Sequence, residues 1–209
     1  MNIKLKAYTV DPVKLCSDAA AICTASDNAE RSLLHSLRSG HESVLEHASF
    51  TFQVEGLSRA SLAQLTRHRL ASYSVQSQRF VRIHGIDMVL PASIRNSEFY
   101  GEAGSLMEDV MNLYQRMVDA GIPPEDARYV TPQAVPTTLI LTMNARELRH
   151  FFALRCCNRA QWEIRQMADQ MLEMCKDVAS ELFEDAGPGC IRGHCPEAHP
   201  CGQSKFSNH

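Results

Sequence analysis

The 209-residue sequence lacks the two signatures that most often announce a nucleotide site. No GxGxxG follows a strand-like run and no GxxxxGK[ST] loop occurs, which excludes a Rossmann-type flavin or nicotinamide site and a P-loop. No apolar run approaches the roughly 18 residues that a membrane span needs, and residues 1–14 lack the apolar stretch of a secretory leader. A cytoplasmic chain with no membrane partner is therefore expected. Charge of one sign is missing too. The 21 Lys and Arg stand against 24 Asp and Glu, a net charge of −3, so there is no broad basic field of the kind that draws nucleic acid. Internal repeats and low-complexity tracts are absent. What remains is an ordinary globular composition, 44% hydrophobic and 22% charged, long enough to bury a core without staples.

Eight cysteines are present. Cys16, Cys23, Cys156, Cys157 and Cys175 fall in helical patterns and read as reduced thiols in or near the core. Cys190, Cys195 and Cys201, with His194 and His199, lie in a different segment. Their chemistry is metal-like, but the spacing is irregular for zinc, which favours short CxxC-type pairs. The segment reads as a tail, either flexible or docked on a neighbour, and no metal is expected.

Hydrophobic periodicity gives the elements. Residues 3–8 and 48–55 alternate as strands, and Phe50, Phe52 and Val54 mark one face of the second. Pro12 opens a helix to about residue 23. Ser26 or Asp27 caps the next one, to residue 37, with Gly40 beyond its end. Ser58 caps a helix that runs into Arg67-His68-Arg69. Serine-rich residues 70–79 read as a loop and 80–83 as a short strand. Helices over 97–120 and 124–129 follow, then a β-like run at 137–143. Asn144 caps a helix to about residue 157, and another covers 160–185. Few strands among many helices, without regular alternation, predict an α+β fold: one domain with a central, mainly antiparallel sheet packed with long helices. Residues 1–186 make that domain and 187–209 the tail.

Three clusters offer chemistry. Gln64, Arg67, His68 and Arg69 lead into Ser72, Ser74, Ser77 and Arg79, a dense supply of guanidinium and hydroxyl donors with no acid among residues 67–79. Such a set suits a phosphorylated ligand; it also suits a helix C-terminus answering its own dipole. On a helix Gln64 and Arg67 share a face that Arg69 does not, so two ligands can be touched. In the second cluster Arg146 and His150 share a face, while Arg155 lies about 180° away. A solvated face with one core-facing arginine is the plainer reading of that helix. The third cluster, Gly40-His41-Glu42-Ser43 and Glu46-His47, fits acid–base groups or ordinary loop polarity and matches no standard zinc spacing.

Taken together, these residues resemble the flavin-dependent thymidylate synthases. The resemblance rests on Arg67-His68-Arg69, seven residues, then Ser77 and Arg79. It extends to residues 40–47 upstream and to Asp126-Ala127-Arg128, Asn144-Ala145-Arg146, Leu154-Arg155 and residues 160–164 downstream, in the family's order, across most of residues 1–185. It implies a homotetramer with shared active sites, FAD in an extended groove, and methylation of dUMP to dTMP. Methylenetetrahydrofolate would supply the carbon, and NADPH would reduce the flavin that delivers the hydride, leaving tetrahydrofolate. Carried over by position, Gln64, Arg67, Ser77, Gln78, Arg79, Arg128 and Arg155 would hold dUMP. Ser43, Arg67, His68, Arg69, Asn144, Arg146 and His150 would hold FAD. Arg155 would be the catalytic group, favouring ionisation of the uracil at N3 as an oxyanion hole favours its anion. Ser77 has no evident base beside it and is read as a binding residue, not a nucleophile. The sequence departs from the pattern at Val75, where a polar residue is common, at His150, where some members have Asn, and at Arg159, where some have His. A nucleic-acid-binding module is disfavoured by the acidity of the remaining chain; an inactive flavoprotein or scaffold with the same fold is the other rival.

Overall fold

A computed structural model describes residues 1–84, 87–193 and 195–202. His194 and residues 203–209 of the tail lie outside the described residues. The chain runs β1 (Asn2–Tyr8), α1 (Pro12–Thr24), α2 (Ala29–Arg38), a 3₁₀ helix (Glu42–His47), β2 (Ser49–Ser58), α3 (Arg59–Leu65), β3 (Ala71–Val75), α4 (Ala92–Arg95), α5 (Tyr100–Asp119), α6 (Pro124–Ala127), β4 (Pro136–Asn144), α7 (Ala145–Arg155) and α8 (Trp162–Phe183). The strands form one antiparallel sheet in the order β1-β2-β4-β3, so the α+β expectation holds.

Local chemistry sets the boundaries. Pro12 stands at the first turn of α1, where its missing N–H costs nothing. The cap of α2 is Asn28, whose side chain accepts the Arg31 N–H; Ser26, one of the two expected caps, instead accepts the Asn28 N–H. Ser58 and Asn144 cap α3 and α7 as expected. Phe50, Phe52 and Val54 are fully buried along β2, as their alternation requires. That strand continues through Gly56, which takes φ +80°, a conformation that strains any other residue.

Three expectations are corrected. Residues 71–75 are a strand, not a loop. Ala71, Tyr73 and Val75 are half-buried between exposed Ser72 and Ser74, an alternation masked by the serines, and the ladder goes on as the Gln76 N–H donates to Thr138 O at 2.9 Å. Residues 80–83 are not a strand. The Ile83 N–H donates to the Tyr114 hydroxyl and its carbonyl accepts from Gln115, so side chains of α5 take the bonds that a sheet would need. Finally, α3 ends at Leu65, so Arg67, His68 and Arg69 follow the helix, and Gln64 and Arg67 share no helical face.

The described residues gather into two compact units. The first comprises residues 1–2, 54–67 and 74–139. Its core is Met111, Tyr114, Ala127 and Val135, with Met88, Met117 and Val130 against them. The second comprises residues 3–53, 68–73 and the chain from 140 onward. There Phe50, Phe152 and Phe183 meet edge to face, with ring centroids 5.4 and 6.0 Å apart along the series. Beside them Arg149, 1% exposed, donates to Glu42 at 3.0 Å, to Leu182 O at 2.7 Å and through two nitrogens to Asp185 at 2.7 and 3.2 Å. Burial alone would lower the pKa of this guanidinium, but Asp185 and Glu42 raise it, so the buried charge is fully answered. This bond set ties the 3₁₀ helix, and Ser43 with it, to α7 and the end of α8.

Candidate active site

The first unit contains a cavity of about 400 Å³ whose lining includes Arg59, Ser77, Gln78, Arg82, His84 and Thr137. Among the described residues, the buried side-chain atoms without a hydrogen-bond partner are Arg59 Nε, Gln78 Nε2 and Thr137 Oγ1, and all three residues line this cavity. An orphaned buried polar atom costs about 1–3 kcal/mol, so three at one place mark a site prepared for a polar ligand. Arg59 reinforces this. One of its terminal nitrogens donates to Gln76 O at 2.8 Å, and its pKa is lowered by burial and then by the charge of Arg128. Arginine remains protonated regardless, and two guanidinium groups that repel one another favour an anion.

Glu125 draws together two further expected residues. It accepts from Arg79 Nε at 2.7 Å through its carboxylate, and from Arg128 Nε at 3.0 Å through its carbonyl. The Arg79–Glu125 pair is about half exposed and so contributes little stability, which leaves Arg79 ready to exchange partners for a phosphate. The Ser77 hydroxyl accepts the Arg79 N–H at 3.1 Å, a turn contact and not that of a nucleophile with its base.

In the second unit a buried chain of polar groups ends at Arg155. His68 is 5% exposed and Glu147 6%. The His68 Nδ1 lies 3.1 Å from Glu147 Oε1, and its Nε2 lies 3.0 Å from Arg155 Nε. Arginine can only donate, so Nε2 must be the acceptor and the proton must sit on Nδ1, donated to Glu147. Burial first, and then the charge of Arg155, lowers the imidazole pKa against the opposing pull of Glu147, so the neutral ring this arrangement needs is the one favoured. The ring is fixed further by edge contacts with Phe151 at 5.0 Å and His150 at 5.9 Å, and the Tyr73 hydroxyl donates to the His68 carbonyl at 2.9 Å. Ligand-type atoms of His68, Glu147 and His150 lie within 4.8 Å of one another. The Arg155 guanidinium against that group opposes a cation, and both His68 nitrogens are already engaged.

The structure thus brings together some expected residues and not others. Ser77 and Gln78 share the cavity, Arg79 and Arg128 share Glu125, and His68 joins His150 to Arg155. That last link modifies the two-face view of α7, because one imidazole touches residues assigned to both faces. Exposed Arg146 pairs with Glu46. Ser43 lies in the 3₁₀ helix and lines a shallow depression with His47, Leu15 and Ile22. Arg67 and Arg69 are exposed and Gln64 half-buried. Sequence reasoning missed Arg59, Thr137, Glu125 and Glu147. For Glu147 a signal existed: Asn144-x-x-Glu147 has capping-box spacing, and its Glu reads as a cap until its burial is known.

Residues 4–180 match the family described as thymidylate synthase complementing protein. The flavin-dependent thymidylate synthase of Geobacter sulfurreducens is 49% identical over 220 residues, covering 98% of this chain and 95% of that protein. The enzyme of the same name from Clostridium tetani is 41% identical over 237 residues, covering 98% and 94%. Among solved structures, the flavin-dependent thymidylate synthase of Helicobacter pylori complexed with FAD and dUMP superimposes with a TM-score of 0.73 at 26% identity, over 90% of this chain and 100% of that one. A UMP/dUMP methylase from Streptomyces cacaoi bound with 5-Br dUMP gives a TM-score of 0.76 at 26% identity, over 88% and 93%.

Proposed function

The chain belongs to the flavin-dependent thymidylate synthase family, an FAD-dependent methyltransferase that converts dUMP to dTMP, and from that premise we propose how its own residues divide the work. The deoxynucleotide occupies the cavity of the first unit. Arg59, Gln78 and Thr137 give their orphaned polar atoms to it, and Arg79 and Arg128 leave Glu125 to take the phosphate, with Ser77, Gln64 and Arg67 completing the set. A cavity of about 400 Å³ is within the range usual for small-molecule sites. The convergence of three orphaned atoms on it is the observation that carries this reading.

FAD is held by Ser43, Arg67, His68, Arg69, Asn144, Arg146 and His150. The exposed cationic and hydroxyl donors among them, Arg69, Arg146 and Ser43, suit a pyrophosphate. When bound and reduced by NADPH, FAD would supply the hydride there, and methylenetetrahydrofolate would supply the carbon. Arg155 favours ionisation of the uracil at N3, and the electron density so gained makes C5 the nucleophile. Its own geometry is set by His68, whose acceptor nitrogen holds Arg155 Nε, and by Glu147, which holds the His68 tautomer. The active sites are shared between chains of a cytoplasmic homotetramer; residues 1–186 form the catalytic domain and 187–209 a separate tail.

The experiment is a dTMP assay with dUMP, methylenetetrahydrofolate, NADPH and FAD, omitting each in turn. Turnover that stops with every omission supports the reading. A colourless protein that takes up no added FAD and forms no dTMP contradicts it.

A further inference from the structure

The tail carries chemistry that the flavin and nucleotide sites do not use. Cys156, Cys157, Cys190, Cys195 and Cys201 all line one small cavity of about 90 Å³, together with Arg159 and Glu197. Two features hold the tail there. Gly187, at φ +137°, lets the chain turn so closely that a Cβ would lie 2.5 Å from the Ile191 side chain, and at Gly189 a Cβ would lie 3.0 Å from the Pro196 ring. Arg159 then clamps the far end, donating to His199 O at 2.9 Å and pairing with Glu197 at 3.3 Å. This gives a role to an arginine standing where some family members have His.

We propose that Cys157, Cys190, Cys195 and Cys201 form a binding site for one zinc ion. Cys156 is set aside because its side chain is buried in the core. The remaining four cysteines supply the number of thiolates that a closed structural zinc site takes, and Cys190-x4-Cys195 lies at the upper end of the usual zinc-loop length, although Cys195-x5-Cys201 exceeds it. Zinc is favoured over harder cations because thiolate sulfur is a soft ligand. On binding, four S–H groups lose four protons to solvent and four Zn–S bonds form, leaving a site of charge −2 whose neighbour Arg159 is cationic. Among the described residues, the sulfurs of Cys157, Cys190, Cys195 and Cys201 do not form a group of three or more ligand atoms within 4.8 Å of one another. Zn–S bonds of about 2.3 Å require S···S separations near 3.8 Å, so the ion draws the tail inward.

The test uses the full chain, purified with its flavin under reducing conditions, incubated with zinc sulfate and desalted. Elemental analysis is expected to give about one zinc per chain, with an X-ray absorption spectrum showing sulfur-only coordination. The double substitution Cys195→Ser, Cys201→Ser should lower the content at least tenfold, while Cys23→Ser, an exposed cysteine away from this cavity, should not change it. Thermal unfolding reports that each variant is folded. No retained zinc in the wild type, or non-reducing mass spectrometry showing these cysteines joined in disulfides in the protein so treated, overturns the proposal. So does zinc that survives the double substitution but is lost in His68→Ala, which would assign the metal to the His68–Glu147–His150 group.

Discussion

Replacing Glu147 with Gln tests whether the buried chain behind Arg155 works through a tautomer. Glu147 is an acceptor only, and it holds the proton of His68 on Nδ1 at a 3.1 Å contact in which the two side chains are 4% and 7% exposed. A glutamine can present its NH₂ instead. His68 then accepts at Nδ1 and carries its proton on Nε2, where it faces the Arg155 N–H that now lies 3.0 Å away. Two donors cannot share that contact, so Arg155 must move. A hydrogen bond to a charged partner contributes about 1.5–3 kcal/mol and a neutral one about 0.5–1.5, so the substitution should cost roughly 1–2 kcal/mol of stability. For a chain of this length that lowers Tm by about 2–8 °C. If the same energy is lost from the placement of Arg155 in the transition state, kcat falls about 5- to 30-fold. Thermal unfolding, kcat and KM for dUMP, and the ¹⁵N shifts of the His68 ring are the assays. The fall should appear in kcat more than in KM, with the proton moved to Nε2. Unchanged kcat, with the proton still on Nδ1, would refute the positioning role.

Acid should act on the same contact. The His68 pKa is lowered from its ordinary 6.5 chiefly by burial, so the unfolded chain binds this proton more readily than the folded one. The sign follows: the stability tied to neutral His68 is fully present above pH 6.5 and is lost as pH falls from there through the folded pKa, where protonation also breaks the bond from Arg155. His68→Asn should flatten that part of a pH–stability curve, and a curve unchanged by it contradicts the assignment. Thr137→Val removes an unpartnered buried hydroxyl. It should stabilise the ligand-free protein by about 1 kcal/mol or more in thermal unfolding while weakening dUMP binding in calorimetry; unchanged dUMP affinity would separate Thr137 from the nucleotide. Ser77→Ala should raise the Kd for dUMP more than it lowers kcat, and abolished chemistry at saturating dUMP with binding intact would restore a nucleophilic serine.

The strand of residues 49–58 was legible because Phe50, Phe52 and Val54 alternate cleanly with polar residues. Residues 71–75 follow the same period, but serines on the open face carry the weight of composition and hide it. Likewise Asn144 and Ser58 announce helix starts through chemistry local to them. Ser77 and Arg79 were legible as anion chemistry by residue type and spacing, whereas Arg128 entered only with the family resemblance. Arg59, Thr137 and Glu147 were not, because their significance lies in burial and in partners distant along the chain: Glu147 meets a histidine 79 residues before it. No periodicity encodes such a pairing. The tail shows the same limit. That Cys157 lines one cavity with Cys190, Cys195 and Cys201 is a meeting that no spacing within the tail contains.

The most direct measurement is single-turnover dTMP formation by Arg155→Ala at saturating dUMP, with FAD bound and reduced. Arg155 is proposed to stabilise charge on the uracil and to leave flavin binding to other residues. The variant should therefore keep its flavin spectrum and bind dUMP, yet lose at least a hundredfold in rate, as removal of a transition-state donor does. Wild-type turnover by that variant would contradict the account at its centre.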